Sequence, residues 1–120
     1  MKFVITGGGT GGHLVPALAF VDAIKHRDSA VDILFIGSTT GIEAEIVPKR
    51  GIVYKSIATG KLRRSSRGLL GMLTIANLRD MLAVPKGLID AYRILRAYKP
   101  DVVLSTGGYV AVPASIAAWL

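Results

Sequence analysis

The chain contains no cysteine, which excludes a disulfide framework and any thiolate metal site and fits a reducing cytoplasm. Acidic residues are missing from a whole interval: no Asp or Glu lies between Lys49 and Arg79. That interval holds Lys49, Arg50, Lys55, Lys61, Arg63, Arg64, Arg67 and Arg79, so one surface should be strongly positive and its partner rich in phosphate. Anionic membrane, nucleic acid and a diphosphate ligand all qualify. The opening Met1-Lys2-Phe3-Val4-Ile5-Thr6 is too short an apolar run for a signal peptide and reads as a first strand. No charged residue occurs from Val102 to Leu120, which a hydropathy window would flag as a span. Ser105, Gly107, Gly108, Pro113 and Ser115 break that run into strand, turn and helix, so no transmembrane segment is expected. What remains is a chain of 120 residues, 51% hydrophobic, with a net charge of +7 from 15 basic and 8 acidic residues. Such a chain can bury one core, and residues 1–120 are read as a single domain.

The most informative stretch is Gly7-Gly8-Gly9-Thr10-Gly11-Gly12-His13, with an apolar strand before it and an apolar-periodic helix from Leu14 after it. Glycines let a ligand reach the backbone, and the first turn of a helix offers unpaired N–H groups and the positive end of its dipole. An anion, usually a phosphate, suits such a turn. Gly7, Gly9 and Gly12 fit the dinucleotide pattern G-x-G-x-x-G, but that code also wants an acid at the end of the second strand. Here Asp32 stands at the start of that strand and Gly37-Ser38 at its end. The P-loop code fails as well, because His13 and Leu14 follow Gly12 where Lys and Ser or Thr are required. His13 itself, where turn meets helix, is a candidate general base, with helix capping or packing as the alternative. His26, in Lys25-His26-Arg27-Asp28, reads as merely exposed.

Leu14, Ala17, Leu18, Val21 and Ile24 give a first helix ending near Lys25–Arg27. Val31–Ile36 reads as a strand buried on both faces, Ile42–Lys49 as a short helix, and Ile52–Ile57 as a third strand. In that short helix Glu43 and Glu45 early and Lys49 late match the dipole. Pro85 predicts a break or kink near Ala83–Val84, after which Leu88, Ala91, Tyr92, Leu95 and Tyr98 continue at helical spacing to Pro100. Tyr92 and Tyr98 are expected to pack with their hydroxyls at the surface. Asp101–Ser105 is a fourth strand, and Thr106-Gly107-Gly108-Tyr109 is a second glycine turn at its carboxyl end. Alternating strands and helices with short connections specify an α/β, doubly wound parallel Rossmann-like sheet, whose ligands bind at the carboxyl ends of strands. In the stretch from Gly60 to Leu73, Lys61, Arg63, Arg64 and Arg67 interleave with leucines, Leu69 and Leu70 among them. That pattern fits a solvated loop entering a core helix, or a contact with anionic headgroups and the acyl boundary. Nucleic acid fits less well, because stacking aromatics are missing from the stretch.

The string from Gly7 to His13, followed by Leu14-Val15-Pro16-Ala17-Leu18-Ala19, resembles the N-terminal signature of the MurG family. These are the UDP-N-acetylglucosamine:undecaprenyl-pyrophosphoryl-MurNAc-pentapeptide N-acetylglucosaminyltransferases, which make lipid II for the bacterial cell wall. Ile36–Glu43, Glu45–Lys49, Lys99–Leu104, Gly107–Val110, Pro113 and Ala117-Ala118-Trp119 are also similar to the family. The resemblance covers nearly all of the chain but only about the first third of the family's length. It implies the N-terminal, acceptor-side half of a GT-B glycosyltransferase of peptidoglycan synthesis, without the C-terminal donor domain. By that resemblance the complete enzyme is inverting and needs no metal or other cofactor. It transfers GlcNAc from UDP-GlcNAc to the MurNAc 4-hydroxyl of undecaprenyl-linked lipid I, at the cytoplasmic face of the cell membrane as a peripheral protein. His13 would be catalytic; Thr10, Gly11 and Gly12 would line the donor side; Gly9, Gly107, Gly108 and Tyr109 would meet the acceptor diphosphate. Lys61, Arg63, Arg64, Arg67, Leu69 and Leu70 would touch the membrane, and nucleic acid would not be a partner. Two alternatives stand beside this: an acceptor subunit of a split enzyme that recruits a donor-binding partner chain, and a non-catalytic module for anionic lipid or nucleotide.

Overall fold

Short continuous apolar runs and segments of period 3.6 alternate along the chain, and the computed structural model folds them as strands and helices. It describes residues 1–8, 11–58, 75–108 and 111–120. The elements in chain order are β1 (Lys2–Thr6), α1 (Gly11–Arg27), β2 (Asp32–Gly37), α2 (Ile42–Lys49), β3 (Val53–Ser56), α3 (Ile75–Tyr98), β4 (Val102–Ser105) and α4 (Ala111–Trp119). The strands form one sheet in the order β3-β2-β1-β4, and every pairing is parallel. The first strand is therefore internal, with Ile5 opposite Phe35 on one side and Leu104 on the other.

Because side chains alternate across a strand, β1 and β2 supply two separate cores. Ile5, Ile33 and Phe35 pack with Leu14, Ala17, Leu18 and Val21 of α1 and Val47 of α2. Val4, Leu34 and Ile36 pack on the opposite face with Ala91 and Leu95 of α3 and Ala114 and Ala117 of α4. Covering both faces explains why these strands carry no polar alternation. Phe35, Val4, Ile5 and Ile36 are fully buried, each worth about 1.5–3 kcal/mol in transfer from water. Ile57, just past β3, is buried with the second group.

Three expectations are corrected. α1 begins at Gly11, so Gly11, Gly12 and His13 form its first turn. First-turn N–H groups have no intrahelical partner in any helix, so weak helix formers cost little there. α3 runs without a break through Pro85, with Leu88, Ala91 and Leu95 buried or partly buried beyond it. That packing offsets the one hydrogen bond a proline removes. The Tyr98 hydroxyl is buried and has no hydrogen-bond partner among the described residues, while the Lys2 ammonium lies 5.3 Å from its ring centre. Burial, then the charge of Asp32, pushes this phenol upward. Tyr92 is exposed as expected, and its hydroxyl accepts a hydrogen bond from Arg96 at 2.9 Å.

The carboxyl-end rim is braced in two places. Gly87 lets α3 approach the chain leaving β3 so closely that a Cβ there would fall 1.9 Å from the Ala58 carbonyl oxygen. Asp90, one turn on, accepts a hydrogen bond from Ala58 N at 3.3 Å. Residues 59–74 begin directly after this anchor.

Candidate functional site

β1 and β4 are neighbours, so the two glycine turns that follow them lie side by side at the same end of the sheet. Thr106 N donates to Thr6 O at 3.0 Å, which extends the ladder by one residue and brings Thr106 beside the start of α1. Thr106 then holds His13 twice. Its hydroxyl donates to the His13 carbonyl at 2.8 Å, and its own carbonyl oxygen lies 3.1 Å from His13 Nδ1. A carbonyl only accepts, so that hydrogen bond requires the proton on Nδ1 and leaves the imidazole lone pair on Nε2. A base oriented through its other nitrogen is the arrangement general-base chemistry uses.

Glycine is required around this histidine. A Cβ at Gly7 would fall 1.9 Å from Thr106 Oγ1, the hydroxyl that holds His13. Gly107 and Gly108 have φ of 99° and 88°, a left-handed backbone that side chains disfavour. A Cβ at Gly107 would stand 3.2 Å from His13 Nδ1, and one at Gly108 would stand 2.4 Å from the Gly8 carbonyl oxygen and 3.1 Å from His13 Cδ2. The second turn thus rests on the imidazole and on the first turn at once. Pro16, inside α1, removes the N–H that would have bonded the Gly12 carbonyl.

The structure therefore brings together His13, Gly107 and Gly108, with Gly11 and Gly12 exposed in the first turn of α1. Gly9, Thr10 and Tyr109 fall outside the described residues, as do Lys61, Arg63, Arg64, Arg67, Leu69 and Leu70. His26 is exposed on the last turn of α1, away from both turns in sequence. Among the described residues no group of three or more His, Asp or Glu side chains could hold a metal ion, and no helix is long and apolar enough to cross a membrane. A cleft of about 610 Å³ lined by Tyr92, Leu95, Arg96, Asp101 and Trp119 opens at the amino end of β4 and contains none of the residues around His13.

One residue at this rim was not singled out in the sequence. Glu43, read there as a dipole match, turns inward from the first turn of α2 and is fully buried. Its Oε1 accepts from Ser38 N at 3.1 Å and from Ser38 Oγ at 2.7 Å, while Gly41 N donates to Ser38 Oγ at 2.8 Å. Tyr54 closes the cluster by donating to the Ser38 carbonyl at 2.5 Å, and burial followed by the Glu43 charge pushes its phenol well above the ordinary range. The only signal in the sequence was spacing: Gly37, Ser38 and Gly41 leave room beneath an acid placed five residues after Ser38.

A parallel sheet covered by helices on both faces, with two glycine turns meeting at an oriented histidine, is the architecture of a Rossmann-like half of a GT-B glycosyltransferase. The chain belongs to the glycosyltransferase family 28 N-terminal domain family, whose model matches residues 3–120. It is 45% identical, over its whole length, to a protein of Natranaerobius thermophilus named UDP-N-acetylglucosamine–N-acetylmuramyl-(pentapeptide) pyrophosphoryl-undecaprenol N-acetylglucosamine transferase. A relative of the same name from Halalkalibacterium halodurans is 42% identical over 98% of the chain. The chain spans 31% of the length of each of these relatives. The crystal structure of Acinetobacter baumannii MurG matches 98% of the chain with a TM-score of 0.78 at 26% identity, and the match covers 32% of that structure.

Proposed function

We propose that this chain is the acceptor-side part of an inverting glycosyltransferase that moves GlcNAc from UDP-GlcNAc to the MurNAc 4-hydroxyl of lipid I, giving lipid II. The observation that carries the reading is His13, oriented by Thr106 through Nδ1 and flanked by Gly107 and Gly108. In this reading Nε2 takes the hydroxyl proton as the oxygen attacks the anomeric carbon from the face opposite the leaving UDP. Gly9, Gly107, Gly108 and Tyr109 meet the acceptor diphosphate through backbone N–H groups, and Thr10, Gly11 and Gly12 border the donor. The rest of the donor site belongs to a C-terminal domain or a partner chain, and neither metal nor another cofactor is assigned a role. The names of the relatives support the substrates, and the family match supports the class of reaction.

Separate titrations of the chain with UDP-GlcNAc and with a lipid I analogue test this division. Acceptor binding without donor binding is expected. Donor binding by the chain alone would overturn the division, because the glycine turn would then be a self-sufficient nucleotide site.

The same reading places the protein at the cytoplasmic face of the membrane as a peripheral protein, with Lys61, Arg63, Arg64, Arg67, Leu69 and Leu70 as the contact. Support comes from the charge pattern: this stretch lies inside the interval without acids. Replacing Arg63, Arg64 and Arg67 together with Ser should weaken binding to anionic vesicles and flatten its salt dependence. Vesicle binding that is unchanged in co-sedimentation would make the stretch a solvated loop only.

A further inference from the structure

Residues 7–12 separate Thr6, the last residue of β1, from His13 in the first turn of α1, and one residue just past β4 reaches both. Thr106 N donates to Thr6 O, while the Thr106 hydroxyl and carbonyl both meet His13. The N–H and the carbonyl would come with almost any residue, whereas the hydroxyl requires Thr or Ser. The first turn of α1 has little hold of its own: Gly11 and Gly12 open it, and Pro16 takes away the N–H that would meet the Gly12 carbonyl. The Thr106 carbonyl that faces Nδ1 belongs to the peptide leading into Gly107, and glycine leaves such a peptide free to turn. Neither partner of the Nδ1 hydrogen bond is therefore fixed by its own backbone. The hydroxyl adds a second connection between the same two residues, and β-branching restricts its rotation. Room for it comes from Gly7, where a Cβ would overlap Thr106 Oγ1 and fall 3.6 Å from the His13 carbonyl oxygen.

We propose that Thr106 is a positioning residue whose hydroxyl, rather than its carbonyl alone, sets the tautomer of His13. By tying the His13 backbone to the end of β4, the hydroxyl keeps the Thr106 carbonyl against Nδ1 and so keeps the lone pair on Nε2. Two hydrogen bonds between two residues fix an orientation, whereas one leaves a hinge. Without the hydroxyl the Nδ1 bond opens and the ring exchanges between its Nδ1–H and Nε2–H forms, of which only the first presents a basic Nε2. What the tautomer is used for rests on the reading of His13 as the general base; the tautomer itself does not.

Ring ¹⁵N resonances of His13, recorded with the imidazole neutral, report the tautomer directly in the native chain, Thr106→Val and Thr106→Ser. Val keeps the shape and removes the hydroxyl, whereas Ser keeps the hydroxyl and loses the methyl group. The native chain and Thr106→Ser are expected to show the Nδ1–H form, and Thr106→Val a mixture of the two forms. A native pattern in Thr106→Val would mean that the carbonyl suffices, and it overturns the proposal. An Nε2–H form in the native chain, or a mixture in Thr106→Ser, overturns it as well, and both results stand even if Thr106→Val fails to fold. In an enzyme carrying this chain, Thr106→Val should lower turnover about 10- to 100-fold with little change in KM, and Thr106→Ser should stay within a few-fold of native. If the tautomer mixes in Thr106→Val while turnover stays native, the positioning holds and the general-base reading of His13 fails. If His13→Ala lowers turnover while Thr106→Val is native in both measurements, that reading holds and the proposal fails.

Discussion

In an enzyme carrying this chain as its N-terminal third, His13→Ala lowers turnover by about 10² to 10⁴, the usual contribution of a positioned general base. That range corresponds to about 3–5 kcal/mol of transition-state stabilisation. The expectation depends on geometry more than on residue type. Thr106 fixes the imidazole through Nδ1, so the nitrogen that remains basic has a set direction, and free imidazole would not share it. The fold should survive the change. His13 is half-buried in the first turn of α1, and its side chain supports the turn through one hydrogen bond of about 1 kcal/mol. The substrate KM should move little, because proton transfer is made only in the transition state. Steady-state kinetics with a far-ultraviolet circular dichroism control decides the matter: turnover within a few-fold of native removes His13 from the mechanism and leaves it a packing residue.

Gly108→Ala should destabilise the chain by about 2–5 kcal/mol. Placing a side chain at φ 88° costs about 1–2 kcal/mol. Forcing its Cβ to within 2.4 Å of the Gly8 carbonyl adds a clash that overpacked sites pay at about 1–3 kcal/mol. The obstructing atom is backbone, so it cannot simply rotate away. Gly51→Ala supplies the comparison, because Gly51 has φ 75° and nothing within 4 Å of the added Cβ. It should lose only the strain component. Thermal unfolding of the two variants beside the native chain measures the difference, at roughly 4 °C per kcal/mol for a domain of this size. Equal losses would mean that the two turns part without cost and that their contact does not hold the site together.

Much of this architecture was legible because it follows from periodicity. β1 and α2 fall where the sequence places them, and β2, β3 and β4 differ by a residue or two at their ends. Both glycine turns were legible as turns at the carboxyl ends of parallel strands, whereas their adjacency comes from the observed strand order β3-β2-β1-β4. What sequence could not supply was the direction of individual side chains. An acid in the first turn of a helix satisfies the dipole rule whether it faces water or the interior, so Glu43 looked ordinary. Proline in a helix is a local penalty, and Pro85 is tolerated because distant β-strand residues pack on the helix that contains it. Tyr98 was placed by a general preference of tyrosine, which the packing of Lys2 across its ring overrides.

The hydrogen bonds that orient His13 join residues 93 positions apart, and β1 cannot pair with β4 until both exist. During synthesis at about 5–20 residues per second, the glycine turn and its histidine emerge roughly 5–20 s before Thr106 does. For that time β1 has β2 as a partner on one side and an open edge on the other. The arrangement around His13 is thus among the last features of this domain to form, completed by the same pairing that adds β4 to the sheet.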